Sequence, residues 1–589
     1  TEHGSARWGT RKEKDLISDK ADFYNNVIVA SDVFLVLDRK RREENEKHGR
    51  KKETETNETV KEGDNNDKDM LTVKEVSRNK KKSGKIKPML NLNLMILGGS
   101  GTGKSRFWVK PNLMQCNTSF VVTDPSGELL QSCGKMLELK GYVIKVFNIN
   151  DMKHSSNYNP FHYLKDFDGN INNNNIIKMI NTFMLNTKAE GASTGDQFWD
   201  DSTRLLLSAL CFLLVETGTE EEQNFANVLD LIHKAKVIEG KEEEKSELDL
   251  IMEKHKEDCP DALSVQYYEE FKQAAGKTMQ SILISTTTRL QHFKLEDVRN
   301  LTFKDNINLE TVGDAKTALF IIIPSTDTTY NFLAAMMYSQ LFDTLYDRAI
   351  NHFHGRLPVH VSFICDEFAN IGKIPDFDKI LATCRKFEIS AVVILQSLSQ
   401  LKRIYEKSWE ELPGNCDTLL YLGGQDQFTN EYLVKALGKE TIDTLAINKT
   451  KSKQGSTSYN DGILGRELAT IDELSRMDNN DCIAIVRGMP PFFTPKFDIK
   501  NHPRYFMLDE ADKENNTFYL EDNVVTDTEC VTVDLSQFYD DPDSNGSSGI
   551  EIMYLTNDSG VVKTEEEMMS DVPAELRIRF DKLSLYNVG

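Results

Sequence analysis

The sequence predicts an α/β fold, a parallel sheet with helices on both faces, interrupted by an all-α domain. Three features predict it. An apolar strand, Leu92 to Leu97, runs straight into the glycine-rich loop Gly98-Gly99-Ser100-Gly101-Thr102-Gly103-Lys104-Ser105. A second apolar strand, Val359 to Cys365, delivers Asp366-Glu367, 262 residues after Lys104. That gap is too long for neighbouring strands unless a domain intervenes. Between them, from about Asn172 to His292, apolar residues recur at helical spacing with no clear strand.

Residues 1–37 form a first segment. It opens with the polar run His3-Gly4-Ser5-Ala6-Arg7-Trp8 and continues to an apolar stretch, Val27 to Leu37, whose second half, Val33 to Leu37, suits a strand. Across 38–87 the composition turns to Lys, Arg, Glu, Asn and Asp with almost no large apolar residues, which reads as a solvated, disordered insertion. Its basic clusters, Arg39 to Arg42 and Lys80 to Lys82, fit either a plain solvated loop or contact with DNA or anionic lipid.

Residues 88–165 hold the first part of a nucleotide-binding domain. Gly98 to Ser105 fits G-x-x-x-x-G-K-[ST], and each part of that pattern has a task. Glycines let the backbone turn so that successive N–H groups converge on phosphate oxygens, and the following helix adds its positive end. Lys104 is expected to reach the β- and γ-phosphates of ATP, and the Ser105 hydroxyl to ligate Mg2+. A helix to about Gln115, then strands at Ser119 to Thr123 and Tyr142 to Phe147 with a helix between, continue the alternation.

Residues 166–300 read as the all-α domain, with Phe198, Trp199, Leu206, Leu210, Tyr267, Tyr268, Met279 and Ile282 among its core positions. Residues 301–500 resume with a strand, Thr317 to Ile323, and complete the nucleotide-binding domain. Asp366 and Glu367 lie where ligands bind in open parallel sheets, at a strand's carboxyl end. Asp366 is the expected Mg2+ partner and Glu367 the residue that polarises the attacking water. The strand Ser390 to Leu395 ends at Gln396, which is either a sensor of the γ-phosphate or an amide that satisfies loop backbone. Arg385, near the end of a helix from Phe377 to Phe387, is either a cation supplied to a neighbouring subunit's ATP or an Arg favoured by the helix dipole. Lys402 and Arg403 read first as a solvated helix face, with DNA contact as the other reading.

Residues 501–589 carry 20 Asp/Glu against 6 Lys/Arg, so this stretch holds −14 of a formal net charge of −22. Strand-like pieces at Asn523 to Thr526, Cys530 to Asp534 and Ile550 to Leu555 leave both a small appendage and a disordered tail open. The overall charge excludes a protein coated in basic surface; nucleic acid would meet a local basic channel. Nine cysteines are scattered without a C-x-x-C pair, as expected of thiols in a reducing cytoplasm. No apolar run approaches the roughly 18 residues that span a bilayer.

Taken together, HGSARWGT (3–10), GGSGTGKSRFWVKPNL (98–113), VVTDPSGEL (121–129), NYNPF (157–161), DQFWDDSTRLLL (196–207), FICDEFANIGKIPDF (363–377), CRKFEISAVVILQSLSQL (384–401) and RELATIDEL (466–474) resemble the type IV coupling proteins, the DNA-pumping ATPases of conjugation and type IV secretion. The resemblance covers about Thr1 to Phe497. It implies a RecA-like nucleotide-binding domain interrupted by an all-α domain and assembled as a homo-hexameric ring, with a monomer as the alternative for a truncated form. It also implies two transmembrane helices upstream of the HGSARWGT segment, which places the parent protein on the cytoplasmic face of the membrane and makes 1–37 membrane-proximal. Carried onto matching positions, Lys104 and Ser105 bind phosphate and metal, Asp366 and Glu367 form the second motif, Gln396 senses nucleotide, and Arg385 reaches the adjacent subunit. The insertion at 38–87 and the acidic tail lie outside the shared motifs. The implied function is ATP-driven movement of single-stranded DNA with its bound relaxase into a secretion channel. The alternatives are an FtsK-type double-stranded DNA translocase, which normally adds a winged-helix domain at its C-terminus, and an ATP-regulated docking platform for secreted proteins.

Overall fold

The apolar runs read as strands assemble into one nine-stranded sheet. The computed structural model describes residues 4–38, 90–166, 168–188, 197–235, 245–274, 276–450 and 456–520. In chain order the strands are β1 Asn26–Ala30, β2 Val33–Val36, β3 Leu94–Leu97, β4 Ser119–Asp124, β5 Val143–Asn148, β6 Thr317–Ile322, β7 Val361–Cys365, β8 Ile389–Leu395, β9 Thr418–Tyr421, β10 Lys439–Thr450, β11 Ser456–Glu467, β12 Asp481–Val486 and β13 Phe492–Pro495. The large sheet has the order β13-β12-β9-β3-β8-β7-β4-β6-β5. From β9 to β5 every neighbour is parallel. At the other edge β12 runs antiparallel to both β9 and β13, so the expected parallel sheet is mixed at that side.

Side-chain alternation divides the sheet's faces between two cores. Met95, Leu97 and Val121 face one core, which also contains the helices between β5 and β6. Leu94, Ile96, Phe120 and Val122 face the other. Helices Asn173–Asn186, Gln197–Thr217, Phe225–His233, Glu247–Asp258, Leu263–Phe271, Gly276–Arg289 and Glu296–Phe303 form the all-α part. Phe183 and Phe293 of this part, with Phe225 packed against both, meet Phe332, which belongs to the helix Asn331–Asp347 that follows β6. The helical region and one face of the sheet therefore share a single core. Tyr268, Met279, Leu206, Leu210 and Ile282 are buried there as expected. Phe198 and Trp199 are not: they are 55% and 36% exposed. Both lie in the first turn of their helix, ahead of the run from Leu206 to Val215 that the neighbouring helices cover.

On the second face, both halves of the apolar stretch Val27 to Leu37 are strands, paired as the antiparallel hairpin β1–β2. Past β13 the chain returns across this face, and Ile499, Leu508 and Phe518 are buried in its core. The hairpin β10–β11, twelve residues on each side, was not legible as such, because its strands are interrupted by polar residues. The charged insertion beyond Asp38, Gln197's side chain, and the strand-like pieces after residue 520 lie outside the described residues or side chains. Among the described residues no helix is long and apolar enough to cross a membrane.

Candidate nucleotide-binding site

The site is built at the carboxyl ends of β3, β7 and β8, which the sheet order makes consecutive with β8 in the centre. The loop leaving β3 is anchored on both sides. Gly98 N–H donates to the Leu395 carbonyl at 3.0 Å, and Gly99 N–H to the Gly423 carbonyl at 2.9 Å. Gly101 and Gly103 then take φ of +77° and +78°, which favours glycine. The N–H groups of Ser100, Gly101 and Gly103 donate to no backbone carbonyl among the described residues, so they are available to an anion. The helix after the loop begins with a π-helical turn, Ser105–Val109, before the regular turns Lys110–Gln115.

Lys104 Nζ folds back onto the loop and donates to the carbonyls of Gly98 and Gly99 at 3.0 and 3.3 Å. Burial pushes its pKa down, and the nearby Asp366 and Glu367 carboxylates oppose that shift. Ser105 Oγ donates to Asp366 Oδ2 at 3.0 Å. Asp366 is 4% exposed, and burial raises its pKa despite the hydroxyl and Lys104. A hydroxyl and a buried carboxylate held side by side, beside free loop amides, are the oxygen donors that suit a hard divalent cation bound together with phosphates. The residues present thus fit Mg2+ and a nucleoside triphosphate.

Glu367 follows with left-handed backbone at φ +49°. Its Oε2 accepts from Asn370 Nδ2 at 3.0 Å. Gln396 stands at the end of β8 with its side chain exposed, and its backbone N–H donates to Gln400 Oε1 at 3.0 Å, so Gln400 is the residue that caps this strand end. Arg385 lies in the short turn Cys384–Phe387, exposed, before β8 begins. Seven residues of strand, about 23 Å, separate it from the end of β8 where the loop sits. The fold therefore gathers Gly98 to Ser105, Asp366, Glu367 and Gln396, and keeps Arg385 at the opposite edge. Lys402 and Arg403 are exposed on the helix Leu398–Ile404, with Lys402 over the Phe428 ring.

Two further residues hold the site, and a third carboxylate is buried at the end of the strand next to β7. Lys496, 6% exposed, donates from Nζ to the Thr102 carbonyl at 3.0 Å and so holds the loop from behind. Asn370 fixes the Glu367 carboxylate. Asp124, at the end of β4 beside β7, is 1% exposed, accepts from the Leu130 N–H at 2.9 Å, and leaves its Oδ1 without a partner; burial pushes its pKa up to about 6. Asn370 was findable, three residues after Glu367. Lys496 carries no local signal, because 394 residues separate it from the carbonyl it holds.

The chain matches a family model described as type IV secretory system conjugative DNA transfer over residues 44–517. It is 22% identical to the conjugal transfer protein TraG of Rhizobium radiobacter over 406 residues, which is 67% of this chain and 60% of that protein. It is 21% identical to the VirD4 protein of Agrobacterium fabrum over 196 residues, 33% of this chain and 29% of VirD4. The chain thus spans about three-fifths of the length of the TraG protein it matches. Among solved structures, it is similar to the bacterial conjugative coupling protein TrwBdeltaN70, with a TM-score of 0.49 and 17% identity over 70% of this chain and 85% of that one. A structure of the plasmid coupling protein TrwB with a non-hydrolysable ATP analogue gives a TM-score of 0.47 at 18% identity, over 69% and 85%. With most of its length under the family model, this chain belongs to the type IV secretory system conjugative DNA transfer family.

Proposed function

We propose that this chain is the ATP-driven motor of a type IV coupling protein, which passes single-stranded DNA with its bound relaxase to a secretion channel. The observation that carries the reading is the 3.0 Å contact between Ser105 and Asp366, 261 residues apart in the chain, which supports reading their two motifs as one phosphate and metal site. Family membership and the naming of the TraG relatives for conjugal transfer support the DNA-transfer role.

In this mechanism the free amides of the loop and Lys104 bind the phosphates of ATP, and Lys104 exchanges its two carbonyl contacts for phosphate oxygens. Ser105 and Asp366 would hold Mg2+, which would supply positive charge to neutralise the phosphates. Glu367 accepts a proton from the attacking water, and Gln396, exposed beside the loop, contacts the γ-phosphate. Arg385, remote from its own site, serves the site of a neighbouring copy, where it stabilises charge on the transferring oxygens. A hexameric ring brings these halves together at each interface. DNA is gripped through its phosphates, so binding is sequence-independent and weakens with salt.

The test is ATP hydrolysis with and without single-stranded DNA, for the wild type and Lys104→Ala. DNA stimulates the wild type, while the variant loses both hydrolysis and binding of a fluorescent ATP analogue. A variant that keeps its rate overturns the site. Hydrolysis that ignores DNA, together with capture of a relaxase, replaces the motor by a docking platform.

A further inference from the structure

The loop that follows the Asp366-Glu367 pair is held from two sides by asparagines. On one side Asn186, the last residue of the helix Asn173–Asn186 in the all-α part, makes a two-way bond to Lys373: its Oδ1 accepts the Lys373 N–H at 2.7 Å and its Nδ2 donates to the Lys373 carbonyl at 3.0 Å. The approach is so close that a Cβ at Gly372, where φ is +95°, would lie 2.6 Å from Asn186 Oδ1. On the other side Asn331, in the first turn of the helix after β6, donates to the Asn370 carbonyl. Between these anchors Asn370 turns its own amide back onto Glu367 Oε2 at 3.0 Å.

Glu367 itself sits in left-handed backbone, which a non-glycine residue rarely adopts. Its N–H donates to Asp366 Oδ1 at 3.0 Å. One carboxylate oxygen is thus occupied by a fixed donor, while Oε1 has no partner among the described residues and is left to accept a proton. A long, rotatable side chain is held in one orientation by a single short contact.

We propose that Asn370 is the positioning residue of Glu367, and that Asn186 ties its loop to the all-α part, so that both regions of the protein set the angle of one carboxylate. The proposal rests on the reading of Glu367 as the residue that polarises water. Displacement of the helix ending at Asn186 pulls on Gly372 and Lys373, two and three residues from Asn370, and thereby shifts the amide that holds Glu367. The all-α part is then a control on hydrolysis as well as a covering for the sheet.

Steady-state hydrolysis and analogue binding separate the possibilities. Asn370→Ala lowers kcat by between about tenfold and a hundredfold, the usual cost of a misplaced group, while the Kd of a non-hydrolysable ATP analogue stays within about twofold. Asn370→Asp has the same shape but no donor, and falls at least as far. Asn370→Gln keeps a donor and recovers part of the rate, a rescue that mere loss of packing would not give. Asn186→Ala lowers kcat less, and the double variant falls no further than Asn370→Ala alone, because both act through Glu367. A wild-type kcat in Asn370→Ala, or equal losses in kcat and analogue affinity, overturns the positioning role; losses that multiply in the double variant overturn the link to the all-α part. Glu367→Gln tells the two levels apart. If it hydrolyses at the wild-type rate, the reading of Glu367 fails; if it is dead while Asn370→Ala is unaffected, only the inference fails.

Discussion

Asp366 shows how a single residue trades stability for chemistry. Its carboxylate is buried and already disfavoured as an anion, with a hydroxyl as its main partner. Asp366→Asn keeps an acceptor for Ser105 and removes the buried charge, so the thermal midpoint stays level or rises. Mg2+-dependent nucleotide binding falls by more than the roughly 10–100-fold that loss of an outer-shell partner brings. Calorimetry of unfolding, paired with nucleotide titration at several Mg2+ concentrations, reads both effects. At this scale the sequence was informative where the chemistry is local: Gly98 to Ser105 and Asp366-Glu367 are each contiguous. It was silent on Lys496 and Asn186, whose partners lie hundreds of residues away in the chain or across a different domain.

The elements that frame the site depend on residues 502–510 packing against the first described segment and the helix after the loop. His502 sits beneath the β1–β2 hairpin, with its ring against Phe23 and Tyr24 and its Nε2 3.3 Å from Gln115 Oε1. Its Nδ1 accepts the Arg504 N–H at 3.1 Å, so the ring is neutral with the proton on Nε2. Burial, with help from Arg504, pushes its pKa down to about 3. The native state therefore keeps His502 uncharged while the unfolded chain takes up a proton below its ordinary pKa of about 6.5. Stability from this group is complete above that value and is lost progressively as pH falls toward 3, by about 2 kcal/mol at pH 5. His502→Gln flattens that acid-side slope even though it loses packing at neutral pH, and denaturant unfolding at pH 7.5 and pH 5 measures the change. Arg504 adds to the same junction. It donates to the Met114 and Gln115 carbonyls, closing the end of the helix that starts at Ser105, and stacks on Tyr24. Glu510 bonds Lys110 and Arg106 on that helix too.

At the scale of the whole molecule, the proposed ring is tested through Arg385. Arg385 is exposed and stands before the seven residues of β8 that lead to the phosphate loop, so in the proposed ring it would serve the loop of a neighbouring copy and not its own. Arg385→Ala and Lys104→Ala each abolish hydrolysis, while Arg385→Ala still binds the ATP analogue. Mixed in equal amounts under assembling conditions, the two inactive variants recover activity, because roughly a quarter of the interfaces in a randomly mixed ring carry both intact halves. Mixtures that stay dead at every ratio, with assembly verified by mass, rule out the shared site.

By itself the sequence determined the α/β class, the helical interruption and the two motifs of the candidate nucleotide site. Phosphate loops and strand-end carboxylates are written in consecutive residues, and helical periodicity is a local property. Only the tertiary structure decided that β8 lies between β3 and β7, that β12 reverses the sheet's direction at one edge, and that Phe198 and Trp199 face solvent. It alone decided that Asn186, Asn331 and Asn370 converge on the loop of Glu367. Such contacts form when distant segments are brought together by burial of the sheet's two faces, and that burial leaves no mark in the spacing of residues along the chain.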